Sequence, residues 1–515
     1  MKIEWNYKSF LHWRQIARKV LSEPELKDYL FLGIDEGGML RFVHRSIVYA
    51  NCHIVGKTRT GKSSLAALSL ALQELARGKT RIIVLDPKGD EAQFHTFRIA
   101  CKLLGREFKY FTIESDRATY GYFLLKQAFW RSRSITEKVQ LLMMIAGLNY
   151  GDREPGLAYF SLQSERIFHG ALKHRPHATS YRELYEVTQQ PNAHKLFGMS
   201  KRDFENGGAA ISNLARLADL PQLTDGTPEQ EAAAIDIAKC VSTPGVLYFR
   251  VPVNILPTTC PAVIRAFLNP YIAYIRSMGR APIQQMIIMD EFHTMASFGV
   301  VDIFKQSVDL NVTCCPCHQN LKDLDQGPYS ILDAVQGNSA LHVMFSADQL
   351  GKKFLQDSGG DRVRWLLSRG RSVKENVDGT LEIAWTFGEQ QSFQPQISND
   401  DVEHLKATSE LGVVQAHPHK GLSRFDGPTF LQFLHVTTPG AYERMKKLPW
   451  PAVMPQTMIG RNNDEPPAAG SMAAVAPPPK SPDTPVRKRL RKRHPAPLPP
   501  SLFGDMLNRA AERLS

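Results

Sequence analysis

Nine consecutive residues place small, cationic and hydroxyl side chains at a spacing suited to phosphate: Gly56, Lys57, Thr58, Arg59, Thr60, Gly61, Lys62, Ser63 and Ser64. The pattern Gly-x4-Gly-Lys-Ser turns backbone N–H groups and a helix N-terminus toward an anion, and it predicts a bound nucleoside triphosphate. Lys62 is expected on the β- and γ-phosphates and the Ser63 hydroxyl on Mg²⁺. An apolar run from Ala50 to Val55 precedes the turn, and Leu65, Leu68, Ala71, Leu72 and Leu75 follow it at helical spacing. Strand, glycine-rich turn and helix are the context such a loop requires. ATP and Mg²⁺ are the expected substrate and cofactor.

Hydrolysis needs a carboxylate pair as well. Met286-Ile287-Ile288-Met289 reads as a short strand ending in Asp290-Glu291. Asp290 is expected to support Mg²⁺, partly through water, and Glu291 to polarise the water that attacks the γ-phosphate. Gln319 closes the strand-like run from Asn311 and is placed to report the γ-phosphate or orient that water. Lys62, Glu291 and Gln319 form the candidate catalytic set. A further buried strand, Arg81 to Leu85, ends in Asp86-Pro87-Lys88-Gly89-Asp90. Ligands of open α/β sheets sit at the carboxyl ends of strands, so this cluster should face the crevice, although Asp, Pro and Gly also serve an ordinary turn. Cys314, Cys315, Cys317 and His318 are zinc-ligand types, but no second cluster converges on them, and buried strand residues are the favoured reading.

The elements that position these residues follow from periodicity. Residues 1–49 form a lead-in, with an amphipathic helix over Phe10, Trp13, Ile16, Ala17, Val20 and Leu21 and short strands near Leu30–Gly33 and Leu40–Val48. Residues 50–121 hold the first part of a nucleotide-binding domain, including a strand from Phe108 to Ile113. Residues 122–238 lack strand patterning and offer helices at Ile135–Ala146, Leu157–Leu172, Tyr181–Gln189 and Ala209–Leu220, so they read as an inserted all-α domain. Residues 239–448 return to the sheet with a strand at Val246–Val251, a helix at Ala262–Ser277 and a strand at Ala340–Phe345. The pattern weakens from Gly351 to Thr438, which reads as closing strands. The fold class is α/β.

From 449 to 515 the proline clusters cannot build a packed core, and a disordered, basic tail is expected. Arg487 to His494 is basic at seven of eight positions and suited to phosphates or anionic lipid. Phe503, Met506, Leu507, Ala510 and Leu514 sketch a terminal amphipathic helix, too short to stand alone and suited to docking on a partner or membrane surface.

Size and charge bound the alternatives. A 515-residue chain can bury two or three domains, which excludes a stapled mini-protein. Seven cysteines lack framework spacing and no secretory signal stands at the start, so free thiols in a reducing cytoplasm are expected. No apolar stretch is long enough to span a bilayer. Net charge is +12, of which the tail from Arg461 carries +5, so the body is only mildly basic.

Gly56–Ser63, the strand ending in Asp86-Pro87-Lys88-Gly89-Asp90, Met286–Glu291 with Phe292, Gln319 with Leu321, and the strand after Gly337-Asn338 with Asp348 stand in a familiar order. Over roughly residues 30–438 the chain resembles the coupling-protein ATPases of conjugative type IV secretion, the TraD/TraG-like branch of the FtsK/HerA class. The resemblance implies a RecA-like motor domain with an all-α insertion, a homo-hexameric ring, and ATP hydrolysis at subunit interfaces that drives DNA, expected to be single-stranded, through a central channel. It implies a relaxase or relaxosome and the secretion channel as partners. The location implied is the cytoplasm, peripheral to the inner face of the bacterial plasma membrane. Two departures stand out. The N-terminal membrane helices usual in the family have no counterpart before residue 56, so a separate membrane anchor is expected. The arginine usually found about eleven residues before the motif glutamine is replaced by Ser307-Val308-Asp309-Leu310, leaving Lys305, Arg362 or Arg364 as substitutes. Other functions compatible with these motifs are a packaging, segregation or repair motor, or a nucleotide-dependent recruitment platform without catalysis.

Overall fold

In the computed structural model, apolar runs form the parallel centre of one 11-stranded sheet. The structure describes residues 23–57, 60–148, 155–296, 298–325, 331–359, 361–375, 381–395, 410–416, 427–437 and 439–453, with isolated positions between them. Thr58, Arg59, the expected N-terminal helix apart from Ile16, and residues 454–515 with the basic run and terminal helix lie outside the described residues.

The strands are β1 (Tyr29–Asp35), β2 (Leu40–His44), β3 (Cys52–Val55), β4 (Thr80–Asp86), β5 (Glu107–Thr112), β6 (Gly245–Arg250), β7 (Gln284–Met289), β8 (Val312–His318), β9 (Leu341–Met344), β10 (Asp361–Glu375), β11 (Leu381–Pro395), β12 (Leu411–Ala416) and β13 (Thr429–Gln432). The large sheet runs β2-β1-β13-β12-β9-β3-β8-β7-β4-β6-β5. From β9 to β5 every neighbouring pair is parallel, and β12, β13, β1 and β2 extend the sheet antiparallel. Strands β3, β4, β6, β7 and β8 are buried at every position, as a sheet covered on both faces demands. Their hydrophobic runs are therefore continuous rather than alternating. Parallel pairing also gathers the carboxyl ends of β3, β8, β7 and β4 along one edge of the sheet, where a crevice can hold a ligand.

Helix boundaries follow local chemistry. Gly61 takes φ +98° between β3 and its helix, and a Cβ there would meet the Leu65 side chain at 2.2 Å. Only glycine serves at that position. The chain then makes a π-helical stretch, Lys62–Ala67, before the regular helix Leu68–Arg77, which stops at Gly78 in the left-handed conformation. Asp90 caps the helix Glu91–Leu104 by accepting from the N–H groups of Ala92 and Gln93.

Helices fill the chain between β5 and β6, including Ile135–Ala146, Pro155–His174, Tyr181–Thr188 and Gly208–Ala218. Ser134 and Glu137 form a capping box at the first of these. They contribute Leu142, Phe168, Leu184 and Leu214 to the buried core. The unit docks on the sheet domain through the helix Cys260–Ser277, where Arg265 Nε donates to the Ile145 carbonyl at 2.9 Å.

Three local expectations change. The strand expected through Val48 ends at His44, whose ring accepts from the Ser46 N–H at 3.2 Å and starts a helix, Arg45–Tyr49. The weakly patterned stretch after Gly351 contains a separate two-stranded ribbon, β10 with β11. Val373, Ile383, Trp385 and Phe387 are exposed on it, so no core imposes polar–apolar alternation there. Trp450, which composition places at the start of the tail, stacks on Phe94 with ring centroids 4.2 Å apart and donates to the Ala118 carbonyl. Packing of the body thus extends beyond residue 449.

Candidate nucleotide site

The turn after β3 is tied to the neighbouring strand ends. The Gly56 N–H donates to the His318 carbonyl at 3.1 Å, and the Lys57 N–H donates to Ser346 Oγ at 2.9 Å. Lys62 is 3 % exposed and folds back over the turn, its Nζ 3.2 Å from the Gly56 carbonyl. The same Nζ reaches Glu291 Oε1 at 3.2 Å across from β7. Ser63 Oγ donates to Asp290 Oδ2 at 3.2 Å. Residues 227 and 229 positions apart in sequence are thereby in contact.

Glu291 occupies the left-handed backbone region, φ 44° and ψ 50°, at the end of β7. For a residue with a Cβ that conformation costs about 1–2 kcal/mol. It allows successive residues to serve one site. Asp290 turns to Ser63 while accepting from the Glu291 N–H, and Glu291 turns to Lys62. Gln319 Nε2, at the end of β8, stands 3.4 Å from both Glu291 oxygens. Lys62, Ser63, Asp290, Glu291 and Gln319 are all brought together. Lys305 pairs instead with Asp302 at 3.2 Å on an exposed helix face.

Lys88 had no assigned role in the sequence beyond membership of its cluster. Its ammonium contacts Glu291 and lies 3.5 Å from Asp290 Oδ2. Burial alone would lower its pKa, but the Asp290 charge and the Glu291 hydrogen bond raise it above the ordinary lysine value. Burial likewise pushes Glu291 up, and the Lys88 hydrogen bond with the Lys62 and Lys88 charges outweighs it, leaving the carboxyl below its ordinary range. Asp86 shapes the loop that carries Lys88. It accepts from the N–H groups of Lys88, Gly89 and Asp90 at 3.0, 2.8 and 2.8 Å and from Tyr248 OH at 2.7 Å. Full burial still holds its pKa up at about 6.

Beneath the turn lie three core histidines. His53 Nε2 and His318 Nε2 are 2.6 Å apart, and the His342 ring stands edge-on to His53. His318 Nδ1 lies 2.8 Å from the Asn320 carbonyl, which makes Nδ1 the donor and Nε2 the acceptor from His53. Burial pushes His318 down to about 4 and His53 well below its ordinary value.

All seven cysteines are free and buried. Among the described residues no group of three or more His, Cys, Asp or Glu could hold a metal ion. The run Cys314–His318 lies within β8, as its apolar neighbours suggested. Ser63 Oγ and Asp290 still suit Mg²⁺, since this ion takes one or two protein oxygens and completes its shell with phosphate and water. The Lys88 ammonium beside Asp290 and Glu291 shows that this corner of the site accommodates positive charge. Among the described residues no helix is long and apolar enough to cross a membrane.

Fold and loop together define an α/β nucleotide-binding fold of the RecA-like P-loop class, with an all-α insertion between β5 and β6. The sequence matches no known family model and no curated protein. Among solved structures the fold is similar to that of the bacterial conjugative coupling protein TrwB. Its unbound form superposes with a TM-score of 0.57 at 13 % identity, covering 81 % of this chain and 91 % of that one. Its complex with a non-hydrolysable ATP analogue gives 0.55 at 14 % identity over 75 % and 86 %. Its complex with ADP and Mg²⁺ gives 0.53 at 13 % identity over 81 % and 91 %.

Proposed function

We propose that the chain is an ATP-driven DNA translocase that acts as a conjugative coupling protein, passing relaxase-bound DNA to a type IV secretion channel. The observation that carries the reading is the meeting of Lys62, Ser63, Asp290, Glu291 and Gln319 at the carboxyl ends of three adjacent parallel strands. A neighbour of the same fold was determined with an ATP analogue and with ADP and Mg²⁺, which supports nucleotide as the ligand class. That neighbour was also determined with a GTP analogue, so fold alone leaves the base open.

The loop Gly56–Ser63 receives the phosphates, and Lys62 leaves Glu291 for their oxygens. Ser63 and Asp290 would hold Mg²⁺, which would supply Lewis-acid polarisation of the phosphate oxygens. Glu291, freed of Lys62, accepts a proton from the attacking water as its oxygen bonds to the γ-phosphorus and the bond to the bridging oxygen breaks. Gln319, already beside Glu291, orients that water. DNA, a relaxase, a membrane anchor and a homo-hexameric ring are the partners this reading requires. It is tested by measuring ATP turnover with and without single-stranded DNA. Stimulation by DNA supports the motor, turnover indifferent to DNA counts against coupling to DNA, and absence of turnover under both conditions favours a recruitment platform.

A further inference from the structure

Beside the start of the P-loop helix lies a cavity of 210 Å³, bordered by Ser64, Leu68, Gln93, Val436 and Tyr442 among others. Whole small-molecule sites span about 300–1,000 Å³, so this space suits one part of a larger ligand. Ser64 belongs to the phosphate loop, and Leu68 stands one turn further along the same helix. A ligand whose phosphates occupy the loop would extend its other end into this cavity.

Gln93 is the unusual member of the lining. It is 3 % exposed, and neither its amide nitrogen nor its amide oxygen has a hydrogen-bond partner among the described residues. A buried amide left wholly unpaired is costly, and one that lines a cavity beside a phosphate loop is placed to be completed by what enters that cavity. Thr96 and Tyr442 beside it are hydrogen-bonded. Thr96 Oγ1 donates to the Ala92 carbonyl at 2.7 Å, and Tyr442 OH donates to Asp90 Oδ2 at 3.2 Å. Asp90 also caps the helix that carries Gln93, so one carboxylate fixes the tyrosine and the glutamine in a common frame. Lys446 lies over the Tyr442 ring at 4.7 Å and further restrains it.

We propose that this cavity is a purine-base site in which the Gln93 amide selects adenine. A carboxamide offers an N–H donor and a carbonyl acceptor side by side, the complement of the N7 acceptor and N6 donor of adenine. Guanine presents two acceptors, N7 and O6, on that edge, so one amide atom would face a like partner. Leu68, Val436 and the Tyr442 ring supply apolar and aromatic surface for the base. The proposal rests on reading Gly56–Ser63 as the triphosphate site.

The test is calorimetric binding of the full chain in Mg²⁺ to three probes: a non-hydrolysable ATP analogue, the matching GTP analogue and inorganic tripolyphosphate. The wild type is expected to bind the ATP analogue about tenfold or more tightly than the GTP analogue. In Gln93→Leu that preference should fall to about twofold or less, with tripolyphosphate affinity unchanged. If Gln93→Leu fails to fold, Gln93→Met keeps the length, removes both the donor and the acceptor of the amide and carries the same readout. A wild type that binds tripolyphosphate but shows no base preference overturns the base site alone, as does a variant that keeps the preference. A wild type that binds none of the probes overturns the triphosphate reading and this proposal with it.

Discussion

Lys62 Nζ lies 3.2 Å from Glu291 Oε1, with side-chain exposures of 3 % and 7 %. The cation expected on phosphate is held by the carboxylate expected to activate water. Binding and catalysis are thus alternatives for the same pair, and phosphate must displace Glu291 from Lys62. Glu291→Gln keeps the size of the side chain and removes its basicity. Analogue binding should persist within a few-fold, while ATP turnover falls by about 10²–10⁴. Phosphate release with turnover within twofold of wild type would contradict the water-activating role.

Lys88 should control the acid limb of the activity profile. Its hydrogen bond and charge help hold the Glu291 carboxyl below its ordinary value. Lys88→Met removes both, so Glu291 takes its proton at higher pH, and the acid limb of kcat/KM should move to higher pH. A profile superimposable on wild type would show that Lys88 does not act on Glu291.

Stability should fall on acidification through the core histidines. His318 is pushed down to about 4 and His95 to about 4, in each case chiefly by burial. For such depressed groups the unfolded chain takes up protons first, so their contribution is present above about pH 6.5 and lost as pH falls toward 4. Between pH 6.5 and 5 the loss is at most about 2 kcal/mol per histidine. Asp86 works in the opposite sense. Its raised value of about 6 means its contribution is full below the ordinary aspartate range and lost as pH rises through 6. With more than one histidine against one aspartate, the urea midpoint should drop from pH 7 to pH 5, and less steeply in His318→Gln. A flat or rising midpoint would refute the assignment.

The thiols should be inert in the folded chain. Burial raises Cys314 and Cys317, and a hydrogen bond with Cys52 together with burial raises Cys315. A thiol reagent acts on thiolate, so labelling should be slow until denaturant releases all seven. Rapid native labelling at several sites, or stoichiometric zinc by metal analysis, would contradict buried strand thiols.

Much of the sheet could be read from the chain because its parallel strands are unbroken apolar runs. Val246–Phe249 and Met286–Met289 read as strands buried on both faces, and Gly61 announced a turn that only glycine can make. The contacts of Ser63 with Asp290 and of Lys62 with Glu291 followed, because parallel order alone brings those strand ends together. Lys88 was hidden by its setting, since Asp-Pro-Lys-Gly-Asp also makes a plain turn. Gln93 and Tyr442 gave no signal, as they are 349 positions apart and come together only in the folded chain, where Asp90 bonds to both. The ribbon of β10 and β11 escaped because alternation marks a strand only when one face is buried.

The central claim is that Gly56–Ser63 and Asp290-Glu291 form one hydrolytic site that drives movement of DNA. Its most direct test is steady-state phosphate release from ATP by wild type and Lys62→Ala, each with and without single-stranded DNA. DNA-stimulated turnover is expected in the wild type and none in Lys62→Ala under either condition. Equal turnover in the two proteins would contradict it.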